Sequence, residues 1–202
     1  MISYYFITDA ALSRRGNASD VKEALAAGVR LFQYRNKGSN TRQIYQEALQ
    51  LRRLLKGKIL LINDHLDVAL AVGADGVHLG QDDMPYAVAR RLLGKKKIIG
   101  ITVHNFKEAQ EAQKLGADYL GVSPVFPTDT KDDAGRARGI KLIREIKKRL
   151  IIPLVAIGGI NLANAREVIR AGADGLCAIS AVVTKRDVKV EIRKYQRLFQ
   201  DA

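Results

Sequence analysis

The chain has 202 residues, with 34 Lys and Arg against 21 Asp and Glu, a formal charge of +13, 47% hydrophobic residues and one cysteine. That length can bury a full core, the basic excess favours anionic ligands, and a lone cysteine excludes an internal disulfide or a cysteine zinc cluster. No run of about 18 apolar residues occurs, nor a basic leader with a small-residue cleavage site, so the expectation is a cytoplasmic protein without a membrane span.

Strand and helix signals alternate along the chain. Residues 4–7 read as a strand, and a polar turn through Asn17 to Asp20 leads into a helix over 21–27. A second strand covers 29–34, Asn40 and Thr41 offer a helix cap, and 44–55 has helical apolar spacing. Strands at 58–62 and 76–79 flank a short helix at 66–72, and Pro85 suits the first turn of a helix reaching 93. A strand at 98–101, a helix at 107–115 and a strand at 119–122 lead to the longest connection, 123–139, whose length is that of a functional lid. Then come a helix at 140–150, strand 154–157, helix 163–170, strand 176–179 and a final helix at 187–199.

One phrase punctuates this alternation: Ala27-Gly28-Val29-Arg30, Gly73-Ala74-Asp75-Gly76, Gly116-Ala117-Asp118-Tyr119 and Gly172-Ala173-Asp174-Gly175. In each, glycine stops a helix in the left-handed conformation and a strand follows. Each interval between these glycines has room for two βα units of roughly 20 to 25 residues. The expectation is an α/β fold: a single (β/α)8 TIM barrel over 1–202, with no linker.

Active sites of such barrels lie at the C-terminal ends of the strands. Strand two ends in Gln33-Tyr34-Arg35-Asn36-Lys37, and alternation places Gln33, Arg35 and Lys37 on one face with Tyr34 on the other. Two cations and an amide facing a barrel interior call for an anionic ligand. Asn63-Asp64 and Gly80-Gln81-Asp82-Asp83 end strands three and four. Asp64 with Asp83 is the preferred pair for Mg2+, which shares its coordination with phosphate oxygens, while Asp82 reads as a helix cap. Thr102 supplies a hydroxyl after strand five, and His104 is either an acid–base group or, the favoured reading, a structural hydrogen-bonder. Thr128, Asp129, Thr130 and Lys131 lie on the long connection. Gly158-Gly159 and Ile179-Ser180, after strands seven and eight, form a phosphate-site pattern in which a short helix after strand eight aims its positive end at the anion. One region thus suits a diphosphate and the other a monophosphate. No nucleophile pairs with a base, so catalysis rests on positioning two substrates and stabilising a departing diphosphate. Cys177 reads as core packing.

These residues resemble the thiamine phosphate synthase family. The likeness covers almost the whole chain: Gln33-x-Arg35-x-Lys37, Ile62-Asn63-Asp64, Gly76-Val77-His78-Leu79-Gly80-Gln81-x-Asp83, the segment Gly121 to Lys131, Ala156 to Ile160, and Ile179-Ser180. The resemblance implies a transferase that joins hydroxymethylpyrimidine diphosphate to a thiazole phosphate, carboxylated or not, with Mg2+ as cofactor. It implies that Gln33 and Asn63 contact the pyrimidine, with Tyr34 and Asn36 in the same binding segment. Arg35, Lys37, Thr102 and Lys131 hold the diphosphate and carry catalysis, and Asp64 and Asp83 hold Mg2+. Thr128, Asp129, Thr130, Gly159, Ile179 and Ser180 belong to the substrate-binding set, most of them at the thiazole phosphate. Thr102 stands where many relatives have serine and Ser123 where glycine is usual.

Two other readings compete. A thiazole tautomerase of the same superfamily keeps the barrel but lacks the diphosphate machinery, and it resembles a chain with histidine near the position of Pro124. A polyanion-binding barrel is suggested by charge alone, but only 6% of residues are aromatic and the basic residues sit mainly in helical stretches, so specific nucleic-acid binding is not expected.

Overall fold

Both faces of most strands carry apolar side chains, which requires cover on both sides of the sheet. The computed structural model, which describes residues 2–128, 130 and 135–201, meets that requirement by closing eight parallel strands into a barrel in sequence order. The strands are β1 (Ser3–Ile7), β2 (Leu31–Tyr34), β3 (Ile59–Asn63), β4 (Gly76–Leu79), β5 (Ile98–Val103), β6 (Tyr119–Val122), β7 (Leu154–Ile157) and β8 (Gly175–Cys177). Outside them lie α1 (Asn17–Ala26), α2 (Thr41–Leu54), α3 (Leu66–Ala71), α4 (Tyr86–Leu93), α5 (Phe106–Leu115), α6 (Gly139–Arg149), α7 (Ala165–Arg170), α8 (Ser180–Val183) and α9 (Val188–Gln200). Ser3 of β1 pairs with Gly175 of β8, closing the ring.

Apolar packing divides into two layers. Tyr5, Ile7, Leu61, Tyr119, Val155 and Cys177 fill the interior, while Phe6, Phe32, Ile62, Val77 and Leu120 point outward against Val21, Leu51, Ala89, Ile146 and Ile192 of the helices. The expected alternation along each strand therefore holds, and Cys177 is packed inside the barrel.

All four punctuating glycines are left-handed, with φ of 89° at Gly28, 63° at Gly73, 88° at Gly116 and 103° at Gly172. The aspartates that follow three of them have a further task. Asp75 Oδ2 accepts from Leu60 N at 2.8 Å and Arg52 Nη1 at 2.8 Å, Asp118 Oδ2 from Ile99 N at 2.8 Å and Arg90 Nη2 at 2.7 Å, and Asp174 Oδ2 from Leu154 N at 2.8 Å and Lys147 Nζ at 2.9 Å. Each carboxylate clips the start of the preceding strand to a helix on the N-terminal side of the barrel.

Some boundaries differ from the sequence-based reading. β5 runs on to Val103, so Thr102 lies within a strand, and β8 stops at Cys177, leaving Ile179 to precede α8. Asn40 caps α2 with a reciprocal Gln43 bond, as expected. The capping assignment for Asp82 is overturned: Pro85 precedes α4 and no side chain caps it, because the proline ring already fixes the entry angle. Among the described residues, no helix is long and apolar enough to cross a membrane.

Candidate active site

At the C-terminal ends of the strands the interior turns polar. Arg35 is drawn over the barrel by Asp9, whose Oδ2 lies 3.1 Å from Arg35 Nη1, while Thr8 Oγ1 accepts from Arg35 N at 2.9 Å. Asp9 is nearly buried, and it also receives the amides of Ala11 and Leu12, so the guanidinium rests on a fixed carboxylate. Lys37 Nζ lies 2.6 Å from Asp64 Oδ2. Asp64 follows β3 in the left-handed region, φ 60°, a conformation that aspartate tolerates but most residues resist. Asp83 comes from the turn after β4, where its Oδ2 accepts from Gly80 N at 2.6 Å. Burial raises the Asp83 carboxyl above its ordinary value, the neighbouring Asp64 carboxylate raises it further, and the Gly80 amide and Lys37 act against both.

Two carboxylates that repel one another create a demand for positive charge between them. Among the described residues no cluster of three or more His, Cys, Asp or Glu could enclose a metal. Asp64 and Asp83 are carboxylate oxygen donors, the ligand type of a hard cation that takes its other ligands from phosphate and water.

The interior pocket is lined by Gln33, Arg35 and Asn63 on one side and by Thr128, Thr130, Gly158, Gly159, Ile179 and Ser180 on the other. His78, Thr102 and Ser123 complete its middle. Arg35 and Thr130 also border a second, outer cavity with Asp9, Asn36, Lys37 and Ser39. Gln33, Arg35, Asn63, Thr102, Gly159, Ile179 and Ser180 thus converge on one pocket, whereas Asp64 and Asp83 line neither cavity. Tyr34 lines neither cavity: alternation turns it outward, and its hydroxyl donates to Glu47 Oε2 of α2 at 2.6 Å. The Asn36 amide also engages Glu47, at 3.3 Å, and Ser39 Oγ at 3.1 Å. Asp129 and Lys131 lie outside the described residues. His104 binds Glu108 through its amide at 2.7 Å and lines neither cavity, which is the structural role expected of it.

Gly158 and Gly159 have φ of 95° and 64°, and a Cβ on Gly159 would lie 2.7 Å from Phe126 Cβ and 2.5 Å from Pro127 O. That close approach lets the connection after β6 pair with the one after β7: Val125 N donates to Ile157 O at 2.9 Å and Phe126 N to Gly158 O at 3.1 Å. At the other end of the same connection, Arg138 N donates to Pro124 O at 2.8 Å and Gly139 N to Val125 O at 2.9 Å. Ser123, where a glycine was usual in the resemblance, is accommodated with its side chain against the pocket.

Two functional positions escape sequence reading. Asp9 lies beyond the apolar run of β1, where only its contact with Arg35 reveals it. His78 stands in the sequence only as part of the Gly76 to Asp83 motif with no role of its own, yet its ring lines the pocket, 2.8 Å from Thr102 Oγ1 through Nε2 and 2.7 Å from Tyr119 OH through Nδ1.

The sequence matches the family model for thiamine monophosphate synthase over residues 4–182. A thiamine-phosphate synthase of Methanosarcina barkeri is 52% identical over 96% of this chain and 89% of its own length. The solved thiamine phosphate pyrophosphorylase of Pyrococcus furiosus superposes with a TM-score of 0.90 at 42% identity, over 99% of this chain and 96% of that one. A 3-hexulose-6-phosphate synthase from Salmonella typhimurium, at 16% identity and TM-score 0.77 over 98% and 99% of the two chains, shares the barrel fold. Matched along nearly its whole length by sequence and by structure, the chain belongs to the thiamine monophosphate synthase family.

Proposed function

We propose that the chain couples hydroxymethylpyrimidine diphosphate with thiazole phosphate, or with its carboxylated form and loss of CO2, to give thiamine phosphate and diphosphate, with Mg2+, in the cytoplasm. The observation that carries this reading is one pocket that Gln33, Arg35 and Asn63 share with Gly158, Gly159, Ile179 and Ser180, with the Lys37–Asp64 pair and Asp83 together at the neighbouring strand ends.

Gln33 and Asn63, on adjacent strands, face the pyrimidine, and Tyr34 and Asn36 brace the segment that bears Arg35 and Lys37. Arg35, Lys37 and the Thr102 hydroxyl hold the diphosphate, joined by Lys131. Asp64 and Asp83 hold Mg2+, which when bound supplies positive charge to the diphosphate oxygens. Thr128, Thr130, Gly159, Ile179 and Ser180 hold the thiazole phosphate, with Asp129 in the same substrate-binding segment, and left-handed glycines open the backbone to the anion. Fixed donors aimed at the leaving group stabilise its charge as the C–O bond breaks, and the thiazole nitrogen captures the pyrimidinylmethyl carbon. No base is needed, since the nucleophilic nitrogen carries no proton.

The test is product formation from the two substrates with Mg2+ and with EDTA. Thiamine phosphate and diphosphate in equal amounts, lost in EDTA and reduced roughly 10²-fold or more by Asp64→Asn, are expected. Folded protein that binds thiazole phosphate yet makes no product overturns the reading.

A further inference from the structure

We infer that Gln33, Tyr5, Tyr119, His78 and Thr102 form one buried hydrogen-bond relay across the barrel with a single direction, so that the amide atom Gln33 turns to the pocket fixes which hydrogen-bonding face Thr102 shows. For the identity of the ligands at its two ends this rests on the function proposed above.

The links are short and continuous. Gln33 Nε2 donates to Tyr5 OH at 2.6 Å, Tyr5 OH and Tyr119 OH are 2.8 Å apart, and Tyr119 OH is 2.7 Å from His78 Nδ1. His78 Nε2 is 2.8 Å from Thr102 Oγ1. Tyr5, Gln33, Tyr119 and His78 are all buried. The space for them is built into neighbouring strands: a Cβ on Gly100 would fall inside the Tyr119 ring, and one on Gly121 would lie 2.9 Å from His78 Cε1. Burial raises both phenols well above their usual value, so each stays protonated and has one hydrogen to give.

Direction follows from proton counting. Tyr5 OH accepts from Gln33, so its own hydrogen goes to Tyr119, and that of Tyr119 goes to His78 Nδ1. A ring holding one hydrogen then carries it on Nε2 and donates it to Thr102 Oγ1. Thr102 is left with a hydrogen to offer an acceptor in the pocket, such as a phosphate oxygen, while Gln33 Oε1 remains to accept from an amino group. Turning the Gln33 amide over reverses every link and leaves Thr102 without that hydrogen. A mixed state puts two hydrogens on one link or strands one in a dry interior. An aminopyrimidine at Gln33 thereby holds Thr102 as a donor to the diphosphate. His78, Tyr5 and Tyr119 are positioning residues.

Nitrogen-15 NMR of the histidines tests this at neutral pH without turnover. There are 3 histidines, so His65→Gln and His104→Gln assign the spectrum. The expected wild-type state is Nε2–H at His78. Gln33→Glu, whose carboxylate can only accept from Tyr5, is expected to move the hydrogen to Nδ1, through three intervening bonds. Tyr119→Phe, which removes the oxygen that joins both Gln33 and Tyr5 to His78 Nδ1, is expected to abolish that response and to raise KM for the pyrimidine diphosphate about tenfold. A His78 ring already Nδ1-protonated or doubly protonated in the wild type, or one indifferent to Gln33→Glu, overturns the relay. These spectra stand whether or not wild-type protein makes thiamine phosphate, so failure of the relay and failure of the proposed function are read separately.

Discussion

Asp64 raises the Asp83 carboxyl even with Lys37 paired to Asp64. Because burial and Asp64 raise the Asp83 carboxyl, the folded chain keeps this proton to a higher pH than the unfolded chain does. Its contribution to metal-free stability therefore falls as pH rises through the raised value. Asp83→Asn keeps an acceptor for Gly80 N while removing that charge, so its Tm in EDTA at pH 7 is expected to equal or exceed wild type by a few degrees. Calorimetry from pH 4 to 7 checks this, and a Tm well below wild type would sink it. The Arg35–Asp9 pair behaves oppositely, since its side chains are only 15% and 6% exposed. Asp9→Ala leaves a guanidinium unpaired beside the pocket, and a loss of about 3 kcal/mol in urea unfolding is expected, together with a fall in kcat. That Gln33, Arg35 and Asn63 face one pocket was legible because charged or amide groups at the ends of apolar runs stand out from the strand pattern. Asp9 and His78 were not, since their meaning lies in partners 26 and 24 residues away.

At the level of strands and helices, the Gly-Ala-Asp phrase joins each strand start to the helix before it. The glycine part of that device was readable in sequence, being a local demand for positive φ. The carboxylate part was not, because the amide donors it accepts from are offered by the previous strand. Asp118→Ala removes the bond to Ile99 N and the partner of Arg90 together, and about 1–3 kcal/mol of stability is expected to go in urea unfolding. Its kcat in native buffer is expected to stay within about twofold, because the clip lies at the end of the barrel away from the chemistry. Arg30 occupies the matching place before β2, where its carbonyl accepts from Ile59 N at 3.0 Å and its side chain stays in water, so the first copy of the phrase keeps the turn without the clip. The strands whose C-terminal ends were misread by two residues, β5 and β8, are those where apolar residues continue past the last ladder bond or polar ones begin before it.

For the molecule as a whole, charge is divided by position. Arg53, Lys56, Arg91, Lys95, Lys96, Lys148, Arg149, Arg193 and Lys194 are exposed on or beside the outer helices, whereas Arg35 and Lys37 are held by carboxylates at the mouth. Retention on heparin is therefore expected to weaken steeply with salt and to be unchanged by Arg35→Ala, while that same change removes coupling activity. The connection between β6 and α6 adds a different consequence. Its two ends are tied to each other through Pro124 with Arg138 and Val125 with Gly139, and its first residues are tied to the turn after β7. The barrel thus sees a closed neck of fixed width, whatever spans 126–137. Lengthening such a loop costs only slowly rising closure entropy. Insertions, deletions and whole-segment exchange there can be accepted without moving a strand, which makes this segment the place where descendants of the scaffold can most freely acquire a different substrate.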